Sequence, residues 1–178
     1  MTRSVLLLLL LLAPASFAAA GPLEEGKALL EQKKYAEAAE ALEKAAGEDA
    51  KGTEPLRLLM DARLQLKQWE AFADALVRLG KRGAAFDTEQ PLAREVQEQL
   101  GMVNWSASDP QRVAVFGRLA REFPASPWRA GWLSICMASH ARQKQFGEAE
   151  AVEKELLAMT LDAAGHYHLL DVPDGEYD

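Results

Sequence analysis

The chain has 178 residues, 49% of them apolar, a formal charge of −7 and a single cysteine. That length and apolar share suffice for one packed domain. The acidic balance excludes sequence-independent nucleic-acid binding, which needs surplus cations to displace counterions, and a lone Cys136 excludes an internal disulfide.

Arg3 precedes an apolar run, Val5 to Leu12, and then Pro14, Ala15 and Ser16. This order predicts a secretory signal peptide over residues 1–20, with cleavage before Gly21 or Ala19. The run is shorter than the roughly 20 apolar residues that span a bilayer, so the expectation is a soluble secreted or periplasmic protein with no stable membrane insertion after leader cleavage. No cysteine follows the leader to carry a lipid anchor.

The mature chain opens with a helix pair. Leu23, Gly26, Leu29 and Leu30 recur as one helical face, and Tyr35, Ala38, Leu42 and Ala45 as the next. Gly26 and Ala38 are small enough to let two backbones approach closely. A second pair follows Pro55, with Leu56, Leu59 and Met60 on its first helix and Trp69, Phe72, Leu76 and Leu79 on its second. Met60 and Phe72 stand where the first pair has small residues, which predicts a shifted contact. The glycines of Gly80, Lys81, Arg82 and Gly83 offer a left-handed helix end, with the two cations at the negative end of the dipole.

A third pair is expected after Asp87 and Thr88, with Pro91 in its first turn and Leu92, Val96, Leu100 and Val103 at helical spacing. Asn104 to Ser108 reads as a longer inner loop holding Trp105, whose ring is expected to fold back over a helix end. Asp109 and Pro110 read as N-cap and first helical residue of a helix carrying Val113, Phe116, Ala120 and Phe123. Pro124 stops that helix and Ser126 with Pro127 starts another, on which Trp128, Trp132, Cys136 and His140 share a face. Phe146, Ala149, Val152, Leu156 and Met159 form its partner helix. Leu161 to Leu170 fits a short capping helix, and Val172 to Gly175 a turn before an acidic end.

Tyr35 and Trp69 lie 34 residues apart, the period of a tetratricopeptide repeat. Tyr35, Ala38 and Ala45, and again Phe146 and Ala149, stand where that family places its aromatic and small residues, so residues 22–160 resemble a tetratricopeptide repeat protein. The stretch Phe123 to Trp128 is similar to a joint in exported bacterial members of the outer-membrane assembly and Tol-Pal associated kind. The resemblance implies an all-α fold, a right-handed superhelix of about four antiparallel helix pairs over residues 21–160, followed by a cap and acidic tail over 161–178. It also implies a concave groove that binds a peptide or helical segment. Its positions fall on Leu23, Lys27 and Leu30, on Arg57, Asp61 and Leu64, and on Ser134, Ala138 and Arg142. The family's carboxylate clamp needs groove asparagines, and the only asparagine here, Asn104, lies elsewhere.

Catalytic chemistry has little support in the residues. Cys136 and His140 sit four apart as nucleophile and base would, yet the repeat register places both on a buried seam. His166 and His168, with Asp162 and Asp171, are metal-ligand types whose spacing of two does not suit one helical face. Asp171, Asp174, Glu176 and Asp178 lack the pattern of a calcium loop. Phosphate-cradling loops, HExxH and nucleophile elbows are missing. The expectation is a non-enzymatic protein with no cofactor or metal that binds another envelope or secreted protein. The alternative expectation is a homo-oligomeric structural module, with terminal repeats or the acidic tail packing against a second copy.

Overall fold

The computed structural model describes residues 21–83, 86 and 94–162, and among these the regular structure is entirely helical. Helix α1 spans Pro22–Glu31, α2 Tyr35–Glu48, α3 Glu54–Gln65 and α4 Trp69–Lys81. Then come α5 over Arg94–Ser106, α6 over Asp109–Glu122, α7 over Arg129–Arg142 and α8 over Phe146–Asp162. Residues 1–20, expected to form the leader, lie outside the described residues, as do Asp87, Thr88, Pro91, Leu92 and positions 163–178. Helix α8 runs through Asp162, past the expected repeat boundary at 160.

Local chemistry explains most of the starts. Pro22, Pro55 and Pro110 occupy first turns, where a missing N–H costs nothing. The start of α6 lies one residue earlier than expected: Ser108 is its N-cap and its backbone N–H donates to Gln111 Oε1 at 2.9 Å, closing a capping box. Gly83 takes the left-handed conformation after α4, with φ +106°.

The rings expected to open second helices are the first residues of α2, α4 and α8. Two residues before each ring stands a lysine in left-handed conformation, Lys33 (φ 59°), Lys67 (φ 55°) and Lys144 (φ 60°). Each closes its turn with the same pair of bonds. In the second, Lys67 N–H donates to Leu64 O at 3.0 Å and Gln68 N–H to Arg63 O at 2.9 Å, the Schellman pattern. A side chain in that conformation costs about 1–2 kcal/mol, more than the roughly 0.5–1 kcal/mol of extra chain entropy glycine would bring. Lys33→Gly should therefore raise stability by about 0.5–1 kcal/mol, read as a higher urea midpoint at unchanged slope.

The three rings share a backbone position but not an environment. Trp69 is buried, Tyr35 half-buried and Phe146 exposed at 68%. Among the described residues no helix follows α8, and none of them is stacked on the face that Phe146 occupies.

Helices pack in chain order, α1 on α2, α2 on α3 and α3 on α4, until α5. There α4 packs, besides α3, against α6, while α5 is set against α3, and the order resumes with α6 on α7 and α7 on α8. Gly26 is buried, and a Cβ added there would lie 2.5 Å from Leu42 Cγ, so its smallness seats the α1–α2 contact as expected. Met60 and Phe72 are both fully buried in the α3–α4 pair.

The third pair departs from expectation in two respects. Its inner connection is only Ala107 and Ser108, because α5 continues through Asn104, Trp105 and Ser106. Trp105 is thus in the last turn of a helix, not a loop, and its ring is exposed at 78% instead of folded over a helix end. Val96, Leu100 and Val103 on the other face of α5 are buried as their spacing predicts.

A ring cluster joins the two halves of the stack. Phe86 stacks on Phe123 with centroids 4.9 Å apart and meets Trp132 edge-on at 5.9 Å. Gly80 in α4 lies beneath Phe86 and Phe123, close enough that an added Cβ would fall 2.8 Å from Phe86 Cε2. Trp132 is fully buried.

Candidate functional site

The first helices α1, α3 and α5 lie side by side, with cross-ties between them. Lys27 of α1 pairs with Glu54 at the start of α3 at 2.9 Å and with Glu24 on its own helix at the same distance. These two carboxylates raise the Lys27 pKa above its ordinary value, Glu24 first. On the other side of α3, Asp61 accepts a hydrogen bond from Gln99 Nε2 of α5. Gln99 is buried at 5% exposure, a polar residue the apolar pattern of α5 gave no reason to single out.

Of the residues assigned to a groove, Lys27, Arg57 and Asp61 sit on this three-helix side and are partly exposed. Leu23 and Leu30 are half-buried and pack against the core. Leu64 is buried. At 6% exposure it belongs to the core. The last set lies on α7, which packs between α6 and α8. Ser134 Oγ donates back to Ala130 O at 2.9 Å, and Ala138 is half-buried.

Arg142 is committed elsewhere. Its Nε and Nη2 donate to Asp109 Oδ1 at 2.9 and 2.7 Å, and Arg112 Nη2 donates to the same oxygen at 2.7 Å. The two guanidinium groups, Arg142 first, hold the Asp109 carboxyl far below the usual carboxylate range. A depressed folded pKa stabilises the protein above the unfolded pKa of roughly 4, and that contribution is lost as pH falls toward the folded value. Asp109→Asn should cost about 1–2 kcal/mol at pH 7, and the gap from the native chain should narrow near pH 3 when urea midpoints are compared.

Cys136 and His140 do not meet as a dyad. His140 Nδ1 lies 2.8 Å from Gln145 Oε1, while Cys136 is buried and its thiol is pushed up to about 12 by burial. A thiol is reactive only as thiolate. In native buffer Cys136 should react with iodoacetamide no faster than the protein unfolds, and mass spectrometry of the labelled chain over time checks this. His166, His168, Asp171, Asp174, Glu176 and Asp178 lie outside the described residues. Within the described residues no group of three or more His, Cys, Asp and Glu is placed to hold a metal, and no helix is long and apolar enough to cross a membrane.

Another surface had no signal in the sequence. Where α4 and α6 begin side by side, an open depression of about 580 Å3 is walled by Arg63, Lys67 and Trp69 on one side and Pro110, Gln111 and Ala114 on the other. Its two walls are 40 or more residues apart in the chain, and they meet because α6 takes the place beside α4 that a regular stack would give to α5.

Comparison of the chain with protein-family models, with curated proteins and with solved structures finds no match in any of the three.

Proposed function

We propose that the protein is a non-enzymatic, exported adaptor of the tetratricopeptide-like kind, binding a peptide or helical segment of an envelope or secreted protein along the side formed by α1, α3 and α5. In this reading the helix pairs form a right-handed superhelix and the leader directs the chain out of the cytoplasm. The observation that carries it is the alignment of first helices, tied by Lys27 to Glu54 and by Gln99 to Asp61. That alignment leaves charged side chains beside half-buried leucines on one surface, the mixture that anchors and orients a bound segment.

A photo-crosslinking residue in place of Arg57 tests this in the native envelope. Capture of one discrete partner, lost when the crosslinker is moved to Lys44 on the exposed face of α2, supports the reading. Capture from Lys44 alone rejects the assigned surface.

Self-assembly is the second reading, favoured by exposed Phe146 and Leu157 on α8. Charge opposes it. Residues 21–53 hold five lysines against eight acidic residues, and residues 145–162 one lysine against five. Like charge at both ends of the stack disfavours head-to-tail contact. Light scattering at low and high salt decides: a monomer under both conditions removes self-assembly.

A further inference from the structure

The depression between the starts of α4 and α6 gathers two cations, Arg63 and Lys67, beside an apolar surface. Most surface cations have a carboxylate within reach: Lys27, Arg78, Lys81, Arg94, Arg118 and Arg129 are all ion-paired. Among the described residues Arg63 and Lys67 have none, as is also true of Lys33, Lys44, Lys51, Arg121 and Lys144 elsewhere, but these two share one depression. Arg63 is held instead by the neutral side-chain oxygen of Gln68, which fixes its guanidinium in the wall without neutralising it. Glu70 also lines the depression, but it stands in the first turn of α4, where it offsets that helix's own positive end.

The floor is apolar, built from Trp69 and Ala71 on one side and Pro110 and Ala114 on the other. Residues 54–144, which contain it, hold thirteen lysines and arginines against ten acidic residues, the reverse of both ends of the chain. An acidic ligand is therefore repelled by the ends and drawn to the middle. The volume lies in the range of ligand sites. Its openness along one side suits a chain laid across it better than an enclosed small molecule.

The geometry points to this depression as a docking site for an acidic peptide segment of another protein, with Arg63 and Lys67 receiving carboxylates and the Trp69–Pro110 floor receiving an apolar side chain between them. It is a different surface from the α1–α3–α5 side, and it stands whether or not that side binds a partner.

The test is a titration of the full isotopically labelled mature chain with a capped hexapeptide alternating leucine and aspartate, followed by amide chemical shifts and by anisotropy of a dye-labelled copy. Saturable shifts at Lys67 to Ala71 and Gln111 to Ala114 are expected. The double variant Arg63→Gln, Lys67→Gln should bind at least about tenfold more weakly, with an unchanged circular dichroism spectrum. A leucine–asparagine peptide should show a similar loss, and salt near about 0.5 M should weaken the aspartate peptide.

Three results overturn the proposal. Shifts confined to Lys27, Arg57 and Asp61 would move the peptide to the first-helix side and leave that reading intact. Equal affinity for the asparagine peptide would remove the anionic character. Binding that tightens about tenfold when Asp171, Asp174, Glu176 and Asp178 are changed to their amides would show that the chain's own acidic end is the occupant.

Discussion

Gly80→Val should lower the urea midpoint sharply, by a loss of about 3 kcal/mol or more, while Gly101→Ala should raise it by about 0.5–1 kcal/mol. Both glycines are helical, so both substitutions gain from reduced chain entropy, a term worth about 1 kcal/mol for alanine and less for valine. What separates them is space. A Cβ at Gly101 meets nothing within 4 Å, whereas one at Gly80 enters the rings of Phe86 and Phe123. Those rings cannot swing aside, because Phe86 also packs edge-on against the fully buried Trp132. Overpacking of this kind typically costs about 1–3 kcal/mol for one methyl group, and valine adds two more carbons to a site already overfull. Near-ultraviolet circular dichroism should change in parallel, since the displaced rings lose their fixed orientation. Unchanged stability of Gly80→Val would show that the joint between α4, α6 and α7 is loosely packed.

The sequence made the helices readable wherever a repeating local signal existed. Apolar spacing marked the buried faces of α2, α4, α6 and α7, and the rings at 35, 69 and 146 marked three helix starts. It could not give the burial of those same rings, because burial depends on the next layer: Trp69 has α6 beside it, and Phe146 has no described helix beyond it. The burial of Leu64 was unreadable for a related reason, since a repeat register says which face a residue occupies but not how deeply it is covered. Displacement of α5 left no local mark. Its apolar face at Val96, Leu100 and Val103 would look the same packed on α3 or on α4. The depression was illegible because its two walls are separated in the chain and come together only through that displacement.

Arginines that close helix ends belong to the same unreadable class, and the strongest of them yields the second large effect. Arg82 follows α4 and reaches across to the end of α2. Its Nη1 donates to Asp49 O at 3.0 Å and Gly52 O at 2.8 Å, and its Nη2 to Ala46 O at 2.8 Å. Helix ends leave carbonyls without partners, and a cation at the negative end of the dipole adds to the hydrogen bonds themselves. Arg112 and Arg129 act similarly, on the Asn104 and Ala107 carbonyls at the end of α5 and on the Ala120 carbonyl in α6. Hydrogen bonds from a charged donor contribute about 1.5–3 kcal/mol when buried. The Arg82 bonds are only partly buried, so the set is worth less than its sum. Arg82→Met keeps the stem and removes every donor, and should cost about 2–3 kcal/mol. Arg82→Lys should recover only part of this, since one ammonium lacks the planar fork that spans three carbonyls. The loss should also be local. Amide exchange should accelerate in α2 and in residues 49–53 before it does in α7, because Arg82 fastens the first pair to the second while the ring cluster holds the remainder. Uniform acceleration through α7 would instead mean that the stack unfolds as one cooperative unit and that this clamp has no boundary to guard.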